Sequence, residues 1–228
     1  MITKKTYIYK AFNRFWHWMQ MLLIFFLAFS GFEIHGAYSF LGFRDAVKYH
    51  NIAAYMLLIL IVFAIFWHFA TGEWRQYVPT LTNIKAQLNY YVFGIFKNAP
   101  HPFHKTQIKK LNPLQKITYF ALKVLVIPIS VTSGILYMLY RYPQRHGIDM
   151  LNISSLEVIA IIHTIGAFLL VIFIIGHVYL TTTGETITSN LKAMLTGYEE
   201  EKIGEEKINE TIKADKEKEE LSVESELK

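Results

Sequence analysis

The chain has 228 residues, 53% of them hydrophobic, no cysteine and a formal net charge of +5. Lack of cysteine excludes disulfides, cysteine-ligated iron–sulfur clusters and covalently attached c-type haem, so a redox metal here must be held by histidine. Residues 198–228 carry 12 acidic and 6 basic residues, leaving 17 basic and 6 acidic in residues 1–197, a pattern that fits a membrane face and requires no nucleic-acid partner.

The apolar residues gather in four runs, each long enough for the roughly 20 residues that cross a bilayer. Span I is expected over about Phe15 to Ile34, opening on the interfacial aromatics Phe15, Trp16 and Trp18. Span II follows over about His50 to Thr71, with Trp67 and Trp74 at its end. Span III covers about Ile117 to Tyr140, and Pro128 inside it predicts a kink. Span IV covers about Leu156 to Thr182. The N-terminus lacks a signal-peptide cleavage pattern, so span I is expected to be retained.

Basic residues cluster before span I (Lys4, Lys5, Lys10, Arg14) and between spans II and III (Arg75, Lys85, Lys97, Lys105, Lys109, Lys110, Lys116). The positive-inside rule then places both termini and the 73–116 loop in the cytoplasm. The aromatic and basic start of that loop, NIKAQLNYYVFGIFKN, is read as a helix on the inner surface. The expectation is an all-α integral membrane protein: a bundle of four transmembrane helices over residues 1–197. A tail at 198–228 is expected to be disordered or a solvated helix.

Six of the nine histidines lie in or at the ends of spans. His17 and His35 bracket span I, and His50 and His68 bracket span II. His163 and His177 lie 14 residues apart in span IV, on one helix face and about 21 Å apart along the axis. With the chain running in, out, in, out, the inner layer holds His17, His68 and His177. The outer layer holds His35, His50 and His163. Ionisable side chains inside a membrane usually point into the bundle and carry function. Two imidazoles from facing helices are a common axial pair for a b haem. Each layer thus has one ligand from span IV and two candidate partners. The plainer alternative is a set of histidines hydrogen-bonded to backbone carbonyls. His101, His104 and His146 fall in loops and read as solvated surface residues.

The run NRFWHW with SGFEIHG at the end of its helix resembles the first span of the dihaem cytochrome b subunits of bacterial thiosulfate reductases. Nickel–iron hydrogenases and formate dehydrogenases use the same superfamily. The likeness continues through YHNIAAY, FWHFATGEWRQYVPT, KLNPLQKITY, VTSGILYM and HVYLTTTGETITSNLKAMLTGY, covering about residues 10–198. By position, the resemblance implies that His17 and His177 bind the iron of an inner haem b, and His50 and His163 that of an outer one. His35 and His68 are then left over as hydrogen-bonding residues, although His68 lies at the depth needed to replace His17 or to join a quinone pocket. The resemblance also implies a quinone site beside KLNPLQKITY, where Asn112 and Gln115 would hydrogen-bond a carbonyl or an ordered water. Asn-Pro is equally a plain helix-start signal.

Gly166 and Gly176 are candidates for close approach of a porphyrin to span IV, with helix packing as the alternative. Arg14, Arg44 and Lys48 are candidate propionate partners. Lys123 is expected to snorkel to the interface. The implied role is a membrane-anchoring dihaem subunit of the bacterial cytoplasmic membrane. It would pass electrons between the quinone pool and a periplasmic catalytic, iron–sulfur or multihaem partner such as a thiosulfate reductase, without a terminal substrate site of its own. Alternatives are a hydrogenase or formate dehydrogenase cytochrome subunit and, in other classes, a histidine-based proton-coupled transporter or a structural anchor.

Overall fold

A computed structural model describes residues 2–80, 82, 84–94, 97, 110–141, 156–184 and 186–203. Strand β1 (Ile2–Tyr7) leads into helices α1 (Ala11–Ile34) and α2 (Phe43–Thr71), followed by a 3-10 turn (Glu73–Tyr77). Helix α3 (Ile84–Asn89) runs into a π turn (Tyr90–Gly94). Helix α4 (Pro113–Ala121), a π turn (Leu122–Val126) and α5 (Ile127–Arg141) succeed one another without a break. Then come α6 (Leu156–Thr181), α7 (Ser189–Thr196) and β2 (Tyr198–Ile203).

Four helices, Ala11–Ile34, Phe43–Thr71, Pro113–Leu139 and Leu156–Thr181, are long and apolar enough to cross a membrane. They answer to the four expected spans, but the first three begin before the apolar runs do. A helix starts where its backbone is capped, not where its side chains turn apolar. In span III that start is a capping box: Asn112 accepts from the Gln115 N–H and Gln115 returns the bond to the Asn112 N–H, with Pro113 in the first turn. His50, expected at the edge of span II, lies about two turns inside α2. The strain expected at Pro128 is taken up as the π turn just before it, where the Ile127 N–H donates to the Leu122 carbonyl five residues back.

The helices pack as two hairpins, α1 on α2 and α5 on α6. The buried alanines of α2, Ala46, Ala53 and Ala64, permit close approach without hydrophobic drive from water. In the second hairpin a Cβ on Gly166 would meet Ser130 Oγ at 2.5 Å and Cα at 3.4 Å. Between the two hairpins the backbones hardly approach. The result is a slot along the bundle, while residues such as Phe66, Phe69, Ile172 and Ile175 face outward.

Polar contacts tie both ends. At the end bearing the N-terminus, called the basic end below, buried Glu73 receives Asn13 Nδ2 at 2.7 Å and Gln76 Nε2 at 3.3 Å on one oxygen. Its other oxygen meets Lys10 at 3.2 Å and buried Lys110 at 3.6 Å. Burial alone would raise this carboxyl's pKa, but the Asn13 bond and the Lys110 and Lys10 ammoniums outweigh it and hold the value below the usual one. Burial pulls Lys110 down, and Glu73 only partly restores it. At the opposite end, buried Glu33 accepts from the N–H groups of Phe40, Leu41 and Gly42 at 2.7, 2.6 and 2.8 Å, closing the turn into α2.

The first six residues of the acidic tail depart from the helical or disordered expectation: β2 pairs antiparallel with β1, Lys5 opposite Glu200. Opposite charges across the pair support it, and Lys5 and Lys192 both reach Glu200, at 3.5 and 3.0 Å. Gly197, at φ 90°, makes the turn from α7 into β2, and its carbonyl accepts from Ile8 and Tyr9. Arg14 and Trp18 of α1 donate to the last carbonyls of α7, Leu195 and Met194, at 2.6 and 3.2 Å. Residues 204–228 lie outside the described residues.

Gly166→Ala should force α5 and α6 apart at a cost of about 1–3 kcal/mol, read as a lower thermal midpoint in detergent; Gly176→Ala, where a Cβ meets nothing within 4 Å, should not. Glu73→Gln should cost about 3 kcal/mol near neutral pH by leaving Lys110 buried and unpaired. Because folding lowers the Glu73 pKa, its contribution exists above the ordinary carboxylate range and is lost as pH falls through the folded value. The gap between variant and parent should therefore close in acid.

Candidate functional site

Two histidine pairs bridge the slot between the hairpins. His17 of α1 faces His177 of α6, with ring centroids 6.0 Å apart and planes at 51°. His50 of α2 faces His163 of α6, with centroids 6.4 Å apart and planes at 75°. Helix α6 supplies one ring to each pair, so their depths follow from its 14-residue spacing, about 21 Å.

Hydrogen bonds set which nitrogen His50 and His163 offer. His163 Nδ1 lies 3.0 Å from the Ser130 carbonyl, which only accepts, so Nδ1 carries the proton and Nε2 keeps its lone pair. Ser133 Oγ is a second partner at 3.2 Å, and it donates its own proton to the Ile129 carbonyl at 2.6 Å. His50 is held alike. Ser30 Oγ donates to the Phe26 carbonyl at 2.8 Å and so accepts from His50 Nδ1 at 2.9 Å. His177 Nδ1 meets Tyr119 OH at 3.2 Å, and Phe173 stacks on the ring at 5.6 Å. His17 Nδ1 is buried with no hydrogen-bond partner. None of the four Nε2 atoms has a hydrogen-bond partner among the described residues.

His68 differs. Its Nδ1 donates to the Ala64 carbonyl at 2.6 Å, leaving Nε2 to accept from Tyr77 OH at 3.3 Å, and Trp16 packs edge-on at 5.3 Å. Both nitrogens are engaged, one within α2 and one by the 3-10 turn that follows it, so nothing is offered to the slot. His35 caps the end of α1 and approaches Thr164 Oγ1 at 3.5 Å. His101, His104 and His146 lie outside the described residues.

Residues missed in the sequence complete the outer pair. Both helices facing it carry a Ser-Gly step, Ser30-Gly31 in α1 and Ser133-Gly134 in α5. Each serine holds Nδ1, and each glycine leaves room for the same ring. A Cβ on Gly31 would lie 3.6 Å from His50 Cε1, and one on Gly134 3.0 Å from His163 Cε1. The repeated SG in SGFEIHG and VTSGILYM is the signal that pointed there. Gly166 serves helix packing, and Gly176 borders open space.

Asn112 and Gln115 lie at the basic end, in the capping box that starts α4, and Asn112 Nδ2 donates to Tyr91 OH at 3.0 Å. Their polar atoms are largely engaged in that cap. Lys123 turns back toward the basic end, its ammonium 3.2 Å from the Tyr77 ring centroid and 5.2 Å from that of Trp16. Of the candidate propionate partners, Arg14 donates to α7, and Lys48 lies over Tyr49 at 5.5 Å.

Residues 8–197 match the family described as prokaryotic cytochrome b561. The chain belongs to that family. The protein YdhU of Escherichia coli, named a cytochrome, is 30% identical over 200 residues, covering 86% of this chain and 75% of that protein. The "Probable Ni/Fe-hydrogenase B-type cytochrome subunit" of Cupriavidus necator is 25% identical, covering 86% of this chain and 87% of that subunit. The "Probable Ni/Fe-hydrogenase 1 B-type cytochrome subunit" of Escherichia coli is 20% identical, with 87% and 92% covered. No solved structure matches the chain.

Membership makes this a multi-pass membrane cytochrome of the b type, and a b-type haem is the group it implies. The site residues fit such a group. Imidazole–metal bonds of about 2 Å put an ion between two rings whose centroids are about 6 Å apart, which is the separation in both pairs. The four Nε2 atoms have no hydrogen-bond partner among the described residues, Nδ1 is held in three rings of four, and glycines lie against His50 and His163.

His163→Ala and His177→Ala should each lose about one haem per chain, measured as haem-to-protein ratio; full retention in both would reject the pairs as ligands. His17→Ala should lose a haem while His68→Ala keeps all. Ser30→Ala should weaken haem retention roughly 10-fold, as outer-shell substitutions do.

Proposed function

We propose that this cytochrome holds two haems in series and carries electrons across the membrane between quinone at the basic end and a redox partner at the other. The observation behind this reading is that two imidazole pairs sit at two depths of one slot, each with a member on α6. His17 and His177 would hold the haem of the basic end, and His50 and His163 the distal one. Each iron would supply a one-electron couple. The chain's own part is to present four Nε2 atoms, hold three of the rings through Ser30, Ser130, Ser133 and Tyr119, and exclude water with apolar helices.

Quinol releases two electrons and two protons, so its pocket needs polar groups beside an apolar slot. The start of α4 meets that need beside the inner pair, through Tyr119 at His177 and the Asn112–Tyr91 bond. In this reading Asn112 and Gln115 border the quinone and shape its pocket by capping α4. The positive-inside pattern supports a cytoplasmic basic end in a bacterial inner membrane, with the partner outside. That partner is proposed to be a thiosulfate-reductase-type catalytic or iron–sulfur subunit, on the motif likeness of residues 10–198. A hydrogenase is the second reading, favoured by the names of the relatives at 25% and 20% identity.

Purified protein should give a b-type reduced-minus-oxidised spectrum with two haems per chain, and quinol should reduce both. One haem per chain, or spectra untouched by quinol, would reject the reading. Asn112→Ala should slow quinol-driven reduction several-fold while haem content holds, with reduction by dithionite unchanged.

A further inference from the structure

A cavity of about 540 Å³ opens at the basic end, apart from the histidine slot, lined by the end of β1, the end of α2 with its 3-10 turn, and the start of α4. Four cations border it, Lys10, Arg75, Lys110 and Lys116, against one carboxylate, Glu73. That carboxylate is already neutralised: Lys10 and Lys110 share one oxygen, and Asn13 and Gln76 occupy the other. Arg75 lies over the Trp74 ring, 5.9 Å from its centroid, and among the described residues neither it nor Lys116 has an ionic partner. Topogenic charge accounts for how many cations lie on this side. It does not account for four of them converging on one concavity.

We propose that this cavity binds a phosphate-bearing anion. Arg75 offers a planar fork that matches two phosphate oxygens, and Lys116 adds a point charge. The volume lies within the usual range for small-ligand pockets. Its depth argues for a source: it lies where Phe43–Thr71 leaves the membrane and Pro113–Leu139 enters it, the level of lipid headgroups. The same chemistry would take a free phosphate or diphosphate.

The test uses the full-length protein purified in neutral detergent. Native mass spectrometry with phosphatidylglycerol and with phosphatidylethanolamine reads lipid retention, and thermal shift with inorganic phosphate and pyrophosphate reads the soluble source. Retention of phosphatidylglycerol over phosphatidylethanolamine, cut roughly 30-fold in the Arg75→Gln/Lys116→Gln double variant, is the expected result. A stabilisation by pyrophosphate that the same variant loses would keep the site and reassign its source. Lys85→Gln/Lys97→Gln, cations of the same basic loop that do not line the cavity, should leave binding unchanged. Equal loss in both double variants would show diffuse surface attraction and overturn the proposal, as would no anion preference in the parent. An unchanged thermal midpoint for Arg75→Gln/Lys116→Gln without ligand separates lost binding from lost fold.

Discussion

Everything at the centre of this bundle depends on which side of each imidazole is occupied. A histidine inside a membrane must satisfy its N–H or incur the cost of an unpaired polar group. Here Ser30, the Ser130 carbonyl with Ser133, and Tyr119 each engage Nδ1, and that engagement aims the other nitrogen into the slot. His68 shows the contrary case: with Ala64 on one nitrogen and Tyr77 on the other, the same side chain becomes a strut.

The slot itself follows from pairing the helices two and two. Alanines on α2 and Gly166 on α6 allow tight contact within each hairpin, while few backbone contacts join one hairpin to the other. Such a bundle has little core of its own, so its ends must be tied by other means. Glu33 gathers three backbone N–H groups at one end, and Glu73 gathers two lysines, an asparagine and a glutamine at the other. The β1–β2 pair and α7 then clamp the start of α1 beside His17. Rigid ends matter where two rings from different hairpins must hold a fixed separation.

The basic end thereby combines three tasks within a short stretch of chain. Arg75 and Lys116 line a cavity there. Asn112 caps α4 and fixes Tyr91. Tyr119 and Lys123 extend polar chemistry toward the inner pair, where the proposed quinone exchange would occur.

Span number, the two-layer histidine pattern and the family likeness were all legible from the chain itself. Each rests on local periodicity: long apolar runs, a 14-residue interval on one helix, and short motifs around it. Composition and spacing left His17 and His68 equal, because helical period gives depth and face but not partners. Only the folded arrangement separated them, by placing Tyr77 against one ring and leaving the other turned to His177. The serines and glycines around the outer pair, the cap at Asn112, the strand hidden in the acidic tail and the cation-lined cavity were decided the same way. Apart from that cap, which joins Asn112 to Gln115 three residues on, they join residues nineteen or more positions apart, and no local pattern records which distant atoms will meet.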